Sequence, residues 1–362
     1  MPSQVHVTKS QIAETAMVET DEAPLADGAV RLAVESFSVT ANNVTYAAIG
    51  DMFGYWNFFP PKGPATEGKG IVPMWGHARV IDSRHPDIHV GERVYGYLPM
   101  ATRLDVLPGK VTAHGFADLA PHRQPMSPIY NQYSRLAADP EHDPAHEGER
   151  MIFGPLFKTG FLIESFMRRE NWFGADVLLM TSASSKTAMG LASVAKHRSP
   201  HVRRIGLTSA GNVAFVEQTG LYDQVVAYDA IGTLPIGPAV VVDFAGNAAV
   251  LGAVHRHYGG ALGYSCMVGA THIDARGQGG AADLPGPAPT LFFAPDHAVA
   301  AVKELGPERF GQAVAESWHA FLDDLGHTVR IERHQGLAAA RDHFAAMVRG
   351  EVDPAAGIVI EP

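Results

Sequence analysis

The residues of this chain whose types and spacing suit chemistry begin at Asp176. The apolar run Val177–Met180 reads as a buried strand, Thr181-Ser182-Ala183-Ser184-Ser185 as a tight turn, and Lys186–Lys196 as a helix. No bulky side chain occupies the turn, so backbone N–H groups and serine hydroxyls can approach a pyrophosphate whose charge the helix N-terminus favours. Ser182, Ser184, Ser185, Lys186 and Thr187 are the candidate diphosphate contacts, Lys186 as a point charge. The pattern departs from G-x-G-x-x-G, because Ser or Ala stands where glycines would fall and Gly190 lies deeper in the helix. A phosphoryl-transfer loop needs glycine at its first position and just before the lysine, where this chain has Met180 and Ser185. An ordinary strand–turn–helix with serine N-caps and a solvated Lys186 is the plainer alternative.

The elements that must position such a turn continue the pattern. A second strand is expected at Arg204–Ser209, a third at Val225–Asp229, a fourth opening at Ala239 with Gly246 just past its end, and a fifth over Ala261–Gly269. Strands that are hydrophobic throughout and separated by helix-length stretches suit a doubly wound parallel sheet covered on both faces. The second strand ends in neutral, donor-rich Thr208-Ser209-Ala210-Gly211-Asn212 where an acidic residue would select NAD, so NADPH is the expected cofactor. Ser209, Asn212 and Tyr228 are placed at its 2′-phosphate and adenine side, and Ala245, Gly246, Val268 and Gly269 beside the nicotinamide half.

The stretch before residue 150 reads differently. Val30–Val39 alternates like a half-buried strand, Gly76–Ile81 and Glu92–Leu98 are short strands near Gly or Pro, and the whole predicts a mainly β domain. Tyr55-Trp56-Asn57-Phe58-Phe59 concentrates aromatics in a loop ending at Pro60-Pro61, either capping the core or walling an apolar pocket, with Tyr55, Trp56 and Phe58 as substrate contacts. Residues Ala137–Glu149 form a polar loop, and a long helix is expected from Leu156 to Arg169. A strand at Thr290–Ala294, helices over Pro307–Leu325 and Gly336–Arg349, and a last strand at Gly357–Glu361 complete the chain. The expected division is 1–150, 151–295 and 296–362, the last segment returning to the first domain.

Composition narrows the partners. The 362 residues carry 28 basic and 38 acidic groups, a net charge of −10 that argues against nucleic acid or an anionic membrane. No apolar run approaches a membrane span, and Met1–His6 lacks the regions of a signal peptide, which predicts a cytoplasmic protein. Cys266 is the single cysteine, so no internal disulfide and no Cys-rich zinc site forms. His142 with His146, and His255 with His257, are pairs without an obvious third ligand, and no metal is expected.

The order of a β domain, an inserted nucleotide domain and a returning helix and strand resembles the medium-chain dehydrogenase/reductase superfamily, and within it the zinc-free, quinone-reductase-like branch. More narrowly, the stretches Ala41–Tyr46, Gly54–Pro60, Tyr130–Tyr133, Ser182–Thr187 and Gly206–Ser209 resemble a bacterial family in that branch labelled as of unknown function. The resemblance implies a GroES-like mainly β catalytic domain and a Rossmann doubly wound parallel-sheet domain in an α/β protein. It also implies no catalytic zinc, since Asn43 stands near the first ligand position and Gly76-His77-Ala78 keeps the His but replaces Glu. Asn43 and Tyr46 fall where zinc-free relatives place hydrogen-bond donors, and Tyr46, a phenol protonated at neutral pH, suits an enolate. The bland readings are a packed aromatic for Tyr46 and a turn amide for Asn43. Tyr130, Asn131 and Tyr133 are expected near the opening of an interdomain cleft, and Thr159 near the nicotinamide. The implied activity is NADPH-dependent reduction of an activated double bond or carbonyl, enone- or quinone-like, in a small and partly apolar substrate. A non-redox lyase or isomerase stabilising an enolate is the alternative. The apolar strand at Thr290 would sit at a sheet edge, and pairing there predicts a homodimer.

Overall fold

The computed structural model describes residues 1–268, 284–326 and 328–362. They form two compact units, Met1–Ile152 with Arg330–Pro362, and Phe153–Val329. In chain order the strands of the first stretch are β1 (Ser3–Thr8), β2 (Gln11–Glu19), β3 (Val30–Val39), β4 (Lys69–Gly70), β5 (Pro73–Ser83), β6 (Arg93–Pro99), β7 (Arg103–Val106), β8 (Pro108–Gly109), β9 (Gly115–Asp118) and β10 (Gln132–Arg135). Helix α1 (Ala41–Ala48) follows β3, and α2 (Glu147–Arg169) contains the boundary between the units.

In the second unit, β11 (Val177–Met180), α3 (Lys186–Arg198), β12 (Arg203–Thr208), α4 (Val213–Gln218), β13 (Gln224–Ala227), β14 (Ala239–Asp243), α5 (Ala248–Tyr258), β15 (Leu262–Val268) and β16 (Thr290–Phe292) precede α6 (Ala294–Leu305) and α7 (Pro307–Leu325). The strands make one parallel sheet in the order β13-β12-β11-β14-β15-β16. Its central strands bury both faces, as Leu178 to Met180 and Val240 to Val242 show, which is why they read as unbroken apolar runs. The order reverses between β11 and β14, the topological switch point of a doubly wound sheet.

The chain returns to the first unit at Arg330 with β17 (Arg330–Gln335), α8 (Gly336–Val348) and β18 (Ala356–Glu361). The main sheet there runs β17-β18-β3-β5-β6-β10-β9-β8 with β7 on β3, beside a small β2-β1-β4 sheet. Phe37, Val80, Leu98 and Ile360 from the strands pack with Leu337, Ala340 and Phe344 of α8 in one core.

Two expectations shift. The long helix starts at Glu147, nine residues before Leu156, and carries Pro155 in its interior. Proline cannot donate to the carbonyl four residues back. That carbonyl, on Met151, accepts instead from the Ser38 hydroxyl at 2.7 Å, so the interruption is tolerated. Residues 296–329 also stay with the second unit. Asp324 of α7 accepts from Ser193 at 2.7 Å, Lys196 at 2.6 Å and, across a 2.9 Å contact, His197, which fastens α7 to α3. Among the described residues no helix is long and apolar enough to cross a membrane.

Candidate functional site

Helix α1 carries Asn42, Asn43 and Tyr46 on adjoining turns. Asn43 is 1% exposed, and its carbonyl oxygen accepts from the Thr40 backbone N–H at 2.6 Å and the Thr40 hydroxyl at 3.1 Å. Its amide nitrogen donates to the Pro73 carbonyl at 2.8 Å. These bonds commit Asn43 to the helix start and to β5, the backbone-bonding role of a capping amide. Tyr46, one turn on, is different. Its hydroxyl oxygen accepts from Asn42 Nδ2 at 2.7 Å and from Trp75 Nε1 at 3.1 Å, which fills the oxygen's lone pairs and leaves its own proton as the group still to be bonded. Burial holds the Tyr46 phenol above the ordinary tyrosine range, as does the neighbouring Tyr55, against the pull of Trp75 and Asn42.

Three more phenols surround it. The Tyr46 ring lies 4.6 Å from Tyr55, 5.4 Å from Tyr97 and 6.2 Å from Tyr130. The hydroxyls of Tyr55 and Tyr130 are 3.1 Å apart. Tyr97 is fully buried, and its hydroxyl lies beside that of Tyr46 without closing a well-formed hydrogen bond, with the hydroxyls of Tyr130 and Tyr55 in electrostatic reach. Trp75 and Tyr97 are direct cross-strand partners on β5 and β6. That pairing is what sequence reading misses, because nothing in the linear order puts Trp75 and Tyr97 next to Tyr46. Asn42 had a local signal, standing four residues before Tyr46 on a helix face.

The other expected substrate contacts belong to the scaffold. Trp56 is wedged between Gly50 and Gly70, where a Cβ on either glycine would collide with its indole. Phe58 is 1% exposed beneath Tyr97 and Tyr130. Asn131 and Tyr133 serve a buried guanidinium. Arg123 donates to Asn131 Oδ1 at 3.0 Å, Asp118 Oδ2 at 2.8 Å, Tyr133 Oη at 2.9 Å and the Tyr130 carbonyl at 2.7 Å. Tyr133 in turn donates to the Tyr97 carbonyl at 2.6 Å. The Arg123 fork therefore fixes the segment that presents Tyr130, and neither Arg123 nor Asp118 announces itself in the sequence. Nearby, His77 is fully buried with both ring nitrogens unpartnered, and burial pushes its pKa down to about 3. Among the described residues no group of three or more His, Cys, Asp or Glu side chains is arranged to hold a metal ion.

In the second unit the serine turn leaves the carboxyl end of β11 at the switch point. The Thr181 hydroxyl donates to Asp243 Oδ1 and accepts from the backbone N–H groups of Phe244 at 2.9 Å and Ala245 at 3.1 Å, locking the ends of β11 and β14 together. Ser182 takes a left-handed conformation, φ 49°, and donates its N–H to the Tyr228 hydroxyl at 3.0 Å. A non-glycine residue in that region is held there by its surroundings. Asn212 donates to Ser184 Oγ at 3.2 Å, and Ser185 caps α3 by accepting from the Ala188 N–H at 3.3 Å. The backbone N–H groups of Ser184 and Thr187 find no partner among the described residues. These are open donors at the start of a 13-residue helix, a position whose dipole favours an anion.

Gly190 has a packing role: a Cβ there would meet the Phe157 backbone, and one on Gly160 would strike the backbone of Leu191, so α2 and α3 cross at close range. Thr159 bonds back to the Pro155 carbonyl at 3.2 Å. Ser209 is exposed past β12, Ala245 and Gly246 follow β14, and Val268 ends β15. Gly269 lies outside the described residues.

Residues 37–353 match the family described as "Protein of unknown function (DUF2855)". The chain belongs to that family. No curated protein matches the sequence. Among solved structures, CurA from Vibrio vulnificus in complex with NADPH is 16% identical, with TM-score 0.57 over 99% of this chain and 98% of that one. The yhdH oxidoreductase from Salmonella enterica in complex with NADP is 13% identical, with TM-score 0.55 over all of both chains. A quinone oxidoreductase from Coxiella burnetii is 14% identical, with TM-score 0.57 over 100% and 99%. At these identities the likeness is one of fold, shared with these NADPH-bound, NADP-bound and quinone oxidoreductase structures.

Proposed function

We propose that this DUF2855 protein is an NADPH-dependent, zinc-independent reductase of an activated double bond or carbonyl in a small, partly apolar substrate. The observation that carries the reading is the Tyr46 hydroxyl, whose oxygen is saturated by Asn42 and Trp75 and whose proton alone remains to be given. NADPH supplies the hydride. As hydride reaches the electron-poor carbon, negative charge collects on the carbonyl oxygen, and Tyr46 donates to it. Asn42 and Trp75 then stabilise whatever charge passes to the phenol oxygen. The cofactor's diphosphate fits the open amides of Ser184 and Thr187, the hydroxyls of Ser182 and Ser185, and the Lys186 ammonium. Ser209 and Asn212, neutral at the end of β12, accommodate a 2′-phosphate, and Tyr228 borders the adenine side. Ala245, Gly246 and Val268 flank the nicotinamide half, and Thr159 stands near it. The NADPH and NADP seen in the CurA and yhdH structures support this reading. The outer position of β16 supports a homodimer, and we place the protein in the cytoplasm.

The test is a fluorescence titration with NADPH, followed by absorbance at the reduced-nicotinamide band with a cyclic enone or a benzoquinone. Micromolar binding and cofactor oxidation matched to substrate loss are expected. Failure to bind NADPH overturns the assignment, and substrate turnover without its oxidation transfers the site to lyase or isomerase chemistry.

A further inference from the structure

We infer that the Tyr55–Tyr130 hydroxyl pair is a second hydrogen-bond donor to the substrate oxygen, and that the four-tyrosine cluster selects neutral carbonyl compounds over carboxylates. The inference rests on the reading of Tyr46 as a donor to substrate and adds to it a second contact and a rule of selectivity.

The phenol protons of the cluster outnumber the acceptors within it. Each phenol brings one donor and an oxygen that can accept. Tyr46 has its oxygen filled from Asn42 and Trp75, and its proton meets no acceptor. Between Tyr55 and Tyr130 a single proton lies in the 3.1 Å gap, so the other hydroxyl proton of the pair is left over. Tyr97 is 0% exposed with an unbonded hydroxyl. With one proton shared between the neighbouring Tyr46 and Tyr97 hydroxyls as well, two phenol protons of the four still lack an acceptor. Leaving buried donors unpaired costs about 1–3 kcal/mol each, so a cluster built this way is completed by an acceptor from outside.

The same side chains define that acceptor. Asn42, Tyr46, Tyr55, Trp75, Tyr97 and Tyr130 carry no charge, and the adjacent Arg123 is already paired with Asp118 at 2.8 Å. Burial raises the pKa of all four phenols, so the surroundings disfavour a full negative charge. A carboxylate would enter without a counter-ion, whereas a neutral carbonyl offers lone pairs and develops charge only during reaction.

Equilibrium binding without cofactor tests this, using benzylideneacetone, whose conjugated-carbonyl absorption moves to longer wavelength when its oxygen is hydrogen-bonded. Cinnamate is the charged probe of similar shape. The wild-type protein should bind the enone with a red-shifted band and cinnamate at least tenfold more weakly. The double variant Tyr55→Phe/Tyr130→Phe, which removes both protons of the pair, should lose about tenfold in enone affinity and part of the shift, the worth of one donor. Either single variant leaves one hydroxyl free to donate and should lose less. Thermal melts coincident with wild type establish that the variants fold. An unchanged band and affinity in the double variant, or cinnamate binding as tight as the enone, overturns the inference. If NADPH oxidation still follows enone loss in that case, the reductase reading stands without it. Expected spectral shifts in a protein that neither binds nor oxidises NADPH would uphold the donor pair and remove the reductase.

Discussion

A phenol whose oxygen already holds two N–H donors can do one thing more, and the consequence for Tyr46 is a separation of binding from rate. Tyr46→Phe keeps the ring against Tyr55 and removes only the proton, so kcat should fall about 10²- to 10³-fold while the KM of NADPH is unchanged. Because the folded pKa of Tyr46 is raised, the donor form persists to higher pH than for a free tyrosine, and kcat should show no alkaline fall up to about pH 10. An alkaline limb present in wild type and absent from Tyr46→Phe would contradict the raised value. His77 shows the opposite sign. Its folded pKa, about 3, lies below the unfolded value of 6.5, so the unfolded chain takes up a proton that the native one refuses. The stability this contributes is complete above pH 6.5 and is lost as pH falls toward 3. Urea unfolding from pH 7 to 4 should therefore lose stability less steeply in His77→Phe than in wild type, and equal slopes would mean the native imidazole ionises. Tyr46 stands out in the sequence as a phenol beside asparagines. Trp75 and Tyr97 do not, since cross-strand register brings them to it, and the bonds of Asn43 to the helix start and to β5 could not be told in one dimension from those of a substrate-facing amide.

At the scale of elements, the segment from β9 to β10 is organised by charge in the interior. Arg123 and Asp118 are each 1% exposed, and Asp118 also accepts from the N–H groups of Leu107 and Ala120, both at 2.9 Å. Removing one partner of a buried pair strands the other, so Asp118→Ala should cost about 3–5 kcal/mol in chemical denaturation. Arg123 also holds the Tyr130 carbonyl, so the variant should lose benzylideneacetone binding along with stability. A loss under 1 kcal/mol would show that the guanidinium finds other acceptors. Hydrophobic periodicity makes strands such as β3 and β14 readable, and the same is true of α7. It is silent about the Arg123 fork, whose partners are drawn from two short strands and the single 3₁₀ turn Pro128–Asn131. The start of α2 was illegible for a related reason: Pro155 reads as a helix boundary, and only the distant Ser38 hydroxyl makes it an interior residue.

For the whole molecule, the parallel sheet and its switch point were legible because each strand is apolar on both faces and the turn after β11 is small. The strands β1, β2 and β17 were not: β2 and β17 are exposed or half-buried along their length, and β1, though buried, sets polar Gln4 and His6 beside Val5 and Val7, so none gives a continuous apolar signal. A dinucleotide at the serine turn would bind only the folded second unit, and binding to the native state alone stabilises by RT ln(1 + [L]/Kd), about 2.7 kcal/mol at 100 times Kd. Spread over a unit of 150–250 residues, each kcal/mol moves Tm by roughly 2–4 °C, so saturating NADPH should raise the unfolding temperature by roughly 5–10 °C. NADH at equal concentration should raise it less, because Ser209 and Asn212 leave the end of β12 without the carboxylate that grips a free ribose hydroxyl pair. Asn212→Asp places a negative charge there and should invert the order, with NADH becoming the stronger stabiliser. Equal shifts for both cofactors in wild type and variant would mean the adenosine half lies elsewhere than at β12, while shifts that follow the substitution would tie the cofactor to this sheet independently of any turnover.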